Sequence, residues 1–423
     1  MKVLLIGNGG REHAMAWKLA DSPHVTALYA APGNPGTAQV ADNLPDIGVN
    51  DFAKIEKFVK QNNIDLVVIG PEDPLAGGLA DVLTAAGVRV FGPTKEGARI
   101  EGDKWFAKEL MRHQSIPTAE ARSFTNADAA TEFLTHRDGP SVIKAAGLAK
   151  GKGVMVCYRT SDAITAIDQI MRKKVHGAAG DRVVIEEMLQ GPEVSILALV
   201  DKRSIYVLET SQDHKPVDDG DTGPMTGGMG AYSPTPVVTS QMLAQIERDI
   251  LVPAVDGMVR DGIEYKGVLY AGLMLTAAGP KVLEFNCRFG DPETQPLMMR
   301  LKTDLFEVLM AVAEGKLDQI TLNWDPRPAL CVVATSKGYP GNYPSGLPIT
   351  GIEKADALPD VKVFHAGTKM QDGQVVTDGG RVLAVTAVGD TIKIAQERAY
   401  KAMDLIHFDG MHYRKDIGRQ AIK

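Results

Sequence analysis

The segment KVLEFNCRFGDPETQP, residues 281–296, carries the densest set of side chains able to do chemistry. On a strand, the two-residue period puts Val282, Glu284 and Asn286 on one face and Leu283 and Phe285 on the other. The apolar face then packs as core, while Glu284 and Asn286 present side-chain oxygens to one cleft. A hard divalent cation takes ligands of that kind, with phosphates and water completing its shell. The plainer alternative is two satisfied polar groups at a sheet edge. Beyond them the planar fork of Arg288 suits a carboxylate or phosphate, and Asp291, Pro292 and Glu293 read as a capped helix start.

Three further segments offer partners for a phosphorylated ligand. In SVIKAAGLAKGKGVMV (141–156), Lys144 ends a strand and Lys150 and Lys152 sit in a glycine loop, so amines and free amides converge as a triphosphate requires. This is no Walker A loop: three residues separate Gly147 from Gly151, and Gly153 stands where a magnesium-holding hydroxyl belongs. Any metal must therefore be held elsewhere. In RVVIEEMLQGPEVS, Glu186 and Glu187 point to opposite faces, one for a cleft and one for the surface, and Glu193 suits ribose hydroxyls. GNGGREH (7–13) reads as a strand-to-helix turn whose amides form an anion site, or as a tight turn with no ligand. It half matches the dinucleotide fingerprint, with Glu12 in place of the third glycine.

These residues need a frame to position them. With 423 residues, 44% hydrophobic and 23% charged, the chain is an ordinary globular one of two to four domains, at roughly 100–200 residues each. A net charge of −7 leaves no general basic field for nucleic acid. Three scattered cysteines fit a reducing compartment, and no run approaches a membrane span, so the expectation is a cytoplasmic protein with neither nucleic acid nor membrane as partner. Apolar runs at 2–6, 25–32, 65–71 and 88–93 alternate with helical spacing, the mark of a parallel α/β sheet. From Gly102 onward strands predominate and an antiparallel sheet is expected, with LYAGLML and KVLEFN as a hairpin. Residues 212–236 show no hydrophobic period and read as a long loop able to close over a site. The last hundred residues form a small α/β unit.

Taken together, GNGGREH, GPEDPL, EGDK, the glycine-lysine loop, TSQDHK, TGGMGAYSP, EFNCRFGDPETQP, FHAGT and RKDIG closely resemble the phosphoribosylamine–glycine ligases of the ATP-grasp superfamily, over essentially the full chain. The resemblance implies an amino-terminal α/β domain (1–101), an ATP-grasp domain (102–325, smaller lobe about 123–192) and a carboxy-terminal domain (326–423). It implies ATP-dependent joining of glycine to 5-phosphoribosylamine through glycyl phosphate, in a monomer or weak homodimer. Lys104, Lys144 and Lys152 would contact ATP phosphates, Glu186, Glu187 and Leu189 would line the adenine site, and Glu193 would meet the ribose. Glu284 and Asn286 would hold Mg2+ or Mn2+, with no further acid available in LYAGLML. Arg288 and Lys152 would serve catalysis; Gly9, Gly10, Glu72, Asp213, Asp291 and again Arg288 would place the substrates. Two departures stand out, because the family commonly reads KADGL and GPNTGGMG where this chain has Ala146 and Met225. The alternatives are another ATP-grasp carboxylate–amine ligase, a non-catalytic nucleotide-binding protein, and, on the glycine turn alone, a nicotinamide oxidoreductase.

Overall fold

The structure, a computed structural model, describes residues 1–137, 139–149 and 153–422, so Lys150 and Lys152 lie outside the described residues. The first apolar run forms the strand Lys2–Gly7, central in a five-stranded, all-parallel sheet. Its side chains alternate between two cores: Leu4 and Ile6 enter one, Val3 and Leu5 the other. A strand covered on both faces must be apolar throughout, and that is why it reads as a run rather than an alternation. The helix Gly10–Ala20 starts directly beyond this strand.

Two four-stranded antiparallel sheets follow, as expected. One orders Ala121–Phe124, Val183–Glu187, Ser141–Ala145 and Val154–Cys157; the other orders Ser204–Val207, Glu193–Asp201, Lys266–Thr276 and Gly279–Asn286. The first sheet has its own core with the helices Ala127–Thr135 and Thr160–Ile167. The second shares its core with the parallel sheet, through Val194, Ile196, Leu269 and Ala271. The helix Leu305–Glu314 is capped by the Asp304 carboxylate and ends at Gly315, whose φ of 78° is the left-handed conformation expected of its stop.

Two expectations are corrected. The strand Gly279–Asn286 does not keep a strict two-residue period, because Gly272 pairs with Glu284 and Leu273 with Val282, leaving Leu283 as a bulge. Val282 therefore packs with Phe285 in the core, not beside Glu284, and Leu283 faces the cavity with Glu284 and Asn286. The stretch 212–236 is also not one long loop. Gln212–Asp213 and Gly230–Ser233 pair with each other and join Ala329–Thr335, Arg381–Val388 and Val361–His365 in a third sheet, and a hairpin Pro216–Asp218/Thr222–Met225 lies between them.

The third sheet meets the first helix through two buried histidines. His365 donates its backbone N–H to His13 Nδ1 at 2.8 Å, and both rings are 1% exposed. Burial pushes the His13 pKa well below its ordinary value, and it pushes His365 down to about 4, opposed by Asp356 and helped by Lys362. Among the described residues, no helix is long and apolar enough to cross a membrane.

Two outcomes follow. Phe285→Ala is expected to cost about 3–5 kcal/mol of unfolding free energy and Leu283→Ala much less, read from denaturant midpoints; equal losses at the two positions would contradict the bulge. Because the folded chain resists protonating His365 while the unfolded chain takes the proton near 6.5, stability is intact above that pH and is lost as pH falls toward 4. His365→Gln should flatten that decline in the unfolding midpoint, and a wild-type midpoint unchanged down to pH 4.5 would contradict it.

Candidate active site

Antiparallel strands bring side chains from distant stretches of sequence onto facing surfaces, and between the two four-stranded sheets they enclose a cavity of ≈ 450 Å3. Lys144, at the end of its strand, is 5% exposed. Its Nζ lies 3.0 Å from Glu186 Oε2 and donates across the cleft to the carbonyl of Leu283 at 2.9 Å. That hydrogen bond joins the first sheet to the bulge of the second. Glu186, 2% exposed, is flanked on its other side by Lys108 Nζ at 3.2 Å. Glu187 turns the opposite way, accepting from Lys281 Nζ and from the backbone of Glu120, each at 3.1 Å. The expected division of the two carboxylates between cleft and surface is what the strand produces.

Lys104 opens the helix Lys104–His113, whose N-cap is the Asp103 side chain. Its backbone N–H donates to Ala146 O at 2.9 Å and its Nζ to Gly147 O at 3.0 Å, so the helix holds the start of the glycine-lysine loop. Burial lowers the Lys104 pKa and Glu284 opposes that effect across the cavity. Glu284 and Asn286 both line the cavity, and Asn286 Oδ1 accepts from Arg288 at 3.3 Å. Arg288 is held by Glu101 at 2.9 Å and Glu72 at 3.5 Å.

At the other end of the cavity, Asp213 accepts from Lys215 Nζ at 2.7 Å. Burial works against the charge on Lys215, but Asp213, Tyr270 and Glu193 outweigh it and its pKa rises well above the ordinary value. Glu193 is half-buried, 3.7 Å from that amine. Tyr270 and Ser195 both donate to Glu293 Oε1, at 2.6 and 3.0 Å. Asp291 is bound by Gln295 at 2.8 Å and lies 3.4 Å from Arg381, which also donates to Gly227 O at 2.8 Å.

Of the residues singled out from sequence, Lys104, Lys144, Glu186, Glu284, Asn286 and Arg288 line this single cavity, as do Gly9, Glu72, Asp213 and Asp291. Glu187, Leu189, Glu193 and Gly10 do not line it. The expected anion site at the glycine turn is corrected in one respect: Glu12 Oε2 accepts from the Gly9 N–H at 2.8 Å, so that amide is already taken. The same carboxylate explains Gly70, where a Cβ would lie 2.1 Å from Glu12 Oε1. Gly10 packs against Gln295.

Lys108, Tyr270 and Arg381 carry no reading from sequence, while Glu101 and Lys215 stand there only within the motifs EGDK and TSQDHK, and Glu293 only as part of a helix start. Lys108 had a signal, being four residues after Lys104 on the same helix face; burial lowers its pKa to about 8, opposed by Glu186. Among the described residues lining the cavity there is no cysteine, serine or histidine. The site is built of fixed charges, suited to holding and polarising an anionic ligand rather than to attacking one.

Comparison with known proteins gives a consistent result. Models of the phosphoribosylglycinamide synthetase family match in three parts, the N domain over residues 1–101, the ATP-grasp (A) domain over 102–294 and the C domain over 329–420. The chain is 55% identical to a phosphoribosylamine–glycine ligase of Rhodopirellula baltica, covering 99% of this chain and 98% of that one. It is 51% identical to part of a trifunctional purine biosynthetic protein of Gallus gallus, all of this chain matching 42% of that protein. A solved phosphoribosylamine–glycine ligase from Thermotoga maritima superposes with a TM-score of 0.84 at 33% identity, over 99% of this chain and all of the other. A biotin carboxylase domain from Hydrogenobacter thermophilus, at TM-score 0.73 and 16% identity over 97% of this chain and 91% of that one, shares the fold alone. With its cavity, its sheets and all three family models in agreement, the chain belongs to the phosphoribosylglycinamide synthetase family.

Proposed function

We propose that this chain uses ATP to join glycine to 5-phosphoribosylamine, giving glycinamide ribonucleotide, ADP and phosphate. The observation that carries the reading is that Lys104 and Lys144 line one cavity together with Glu284, Asn286 and Arg288, and that Asp213 and Lys215 line it as well. An amine does not displace an oxide from a carboxylate at useful rates. The glycine carboxylate therefore first attacks the terminal phosphorus of ATP, releasing ADP and forming glycyl phosphate. The amine of phosphoribosylamine then attacks the acyl carbon, the amide bond forms, and phosphate leaves with loss of an amine proton.

The chain's own groups divide this work by charge. Lys104 and Lys144, with Lys152 of the loop, hold the phosphates and offset the charge that moves between them. Glu186 borders the adenine; Glu187 and Leu189 beside it, and Glu193 toward the ribose, do not line the cavity and take their roles from the family resemblance alone. Glu284 and Asn286 are hard oxygen donors open to the same cavity, which fits Mg2+ or Mn2+. When bound, that ion neutralises phosphate charge and orients the transfer. Arg288, its fork steadied by Glu72 and Glu101, takes the glycine carboxylate or the transferring phosphoryl group. Asp213 and Asp291 hold the glycine ammonium protonated, which keeps glycine from competing as the nucleophile. Gly9, Gly10 and Glu72 shape the phosphoribosylamine end. The 212–236 segment, which reaches the cavity through Asp213, Lys215, Thr226 and Gly227, limits water near the acyl phosphate.

Ala146 is buried and its backbone oxygen still holds Lys104, so the missing carboxylate does not unmake the loop anchor. The reading extends to a cytoplasmic enzyme, monomeric or a weak homodimer, divided at about 101 and 325, with neither nucleic acid nor membrane as partner; the net charge of −7 supports the first exclusion.

Release of ADP, measured with ATP, Mg2+, glycine and freshly generated phosphoribosylamine, should require all four. Release that ignores glycine would point to a different acid, and none under any combination would point to a binding protein. Glu284→Gln should lower kcat/KM by on the order of 10²-fold or more, and unchanged turnover would remove Glu284 from the site.

A further inference from the structure

The carboxy-terminal residues lie as a strap over the hairpin that follows Asp213. Arg414, 1% exposed, donates to Pro216 O at 3.1 Å and forms ion pairs of 2.8 Å with both Asp221 and Asp416. In return the Gly220 N–H donates to Asp416 at 2.9 Å, and the Lys415 N–H donates to Asp219 at 2.8 Å. At the root of the hairpin, where strap and sheet meet, stands His214, 2% exposed.

The protonation of His214 follows from its neighbours. The Gly418 N–H donates to Nε2 at 2.9 Å, so Nε2 carries the lone pair. Nδ1 lies 3.1 Å from the Asp213 carbonyl oxygen and must be the nitrogen that donates. A neutral imidazole in one tautomer thus ties the strap to the main chain of Asp213. The backbone of His214 is itself paired on both sides, N–H to Gly230 O at 2.9 Å and O from the Met229 N–H at 2.7 Å. In such an extended segment alternate side chains share a face: Asp213 and Lys215 line the cavity while His214 faces the strap and packs in a T-shaped contact with the Tyr232 ring.

We propose that His214 is a positioning residue, which through the carboxy-terminal strap sets the aim of Asp213 and Lys215 into the cavity without touching a substrate. This rests on the ligase reading above. The ring donates and accepts at opposite ends, so a side chain able only to fill the space leaves the Asp213 carbonyl and the Gly418 amide without their partner. The ATP-facing residues Lys104, Lys144 and Glu284 stand on other elements and are not held by this link.

The test compares the full-length wild type with His214→Phe, which keeps the ring, and His214→Gln, whose side-chain oxygen can accept from Gly418. His214→Phe should lower kcat by roughly tenfold to a hundredfold and raise the KM for glycine, with the Kd for ATP unchanged, and His214→Gln should recover most of the loss. The proposal is overturned if His214→Phe keeps wild-type kcat and KM, if His214→Gln loses as much as His214→Phe, or if ATP binding weakens in parallel, which is the mark of general loosening. Should His214→Phe fail to fold, Asp416→Ala loosens the strap from outside; the same split, smaller, is expected, and unchanged kinetics overturns the proposal equally. A wild type that releases no ADP with every substrate present defeats the ligase reading instead, so the two failures are distinct.

Discussion

The ammonium of Lys144 cannot be buried alone. An amine removed from water requires a counter-charge and hydrogen-bond acceptors close by, and here they are Glu186 and the carbonyl of Leu283. The first stands on the same sheet and the second on the facing one, so satisfying one cation fixes the approach of two sheets. Lys108 repeats the demand from the helix Lys104–His113, sharing Glu186 and bonding to Thr118 Oγ1 at 2.8 Å. One buried carboxylate thus answers two buried amines. A polyphosphate entering the cavity would compete with Glu186 for the amine of Lys144, and a divalent ion would compete with Arg288 for Asn286.

The bulge at Leu283 is the local device that makes this arrangement work. Had the strand kept its phase from Val282 onward, Leu283 and Phe285 would share the core and Lys144 would find no exposed carbonyl at that level. One extra residue redirects the strand where it reaches the active face. It leaves Val282 and Phe285 in the core and turns Leu283, Glu284 and Asn286 toward the cavity.

Much of this frame was legible in the residues because its signals are local. The parallel strands announce themselves as apolar runs closed by glycine or proline, and the helix at 305–314 carries its own cap and stop. The opposed directions of Glu186 and Glu187 follow from the pleat alone. What was not legible depends on partners far along the chain. The strand Gly230–Ser233 looks like loop because one partner, Gln212–Asp213, is only two residues long and the other, Ala329–Thr335, lies a hundred residues on. The phase slip at Leu283 leaves no mark in composition. Glu101, Tyr270 and Glu293 are ordinary residues in sequence, and only the fold brings them to the cavity, beside Arg288 and Lys215. The glycine turn shows the converse: it advertises an anion site, and Glu12 occupies one of its amides.

On the proposed function, the lysines of one sheet and the oxygen donors of the other grip the same nucleotide. A crystal structure with a non-hydrolysable ATP analogue and Mn2+, the ion located by its anomalous signal, tests this directly. Mn2+ is expected on the side-chain oxygens of Glu284 and Asn286, with the phosphates between that ion and the amines of Lys104 and Lys144. Phosphates bound away from either group, or Mn2+ held by other residues, would contradict this arrangement.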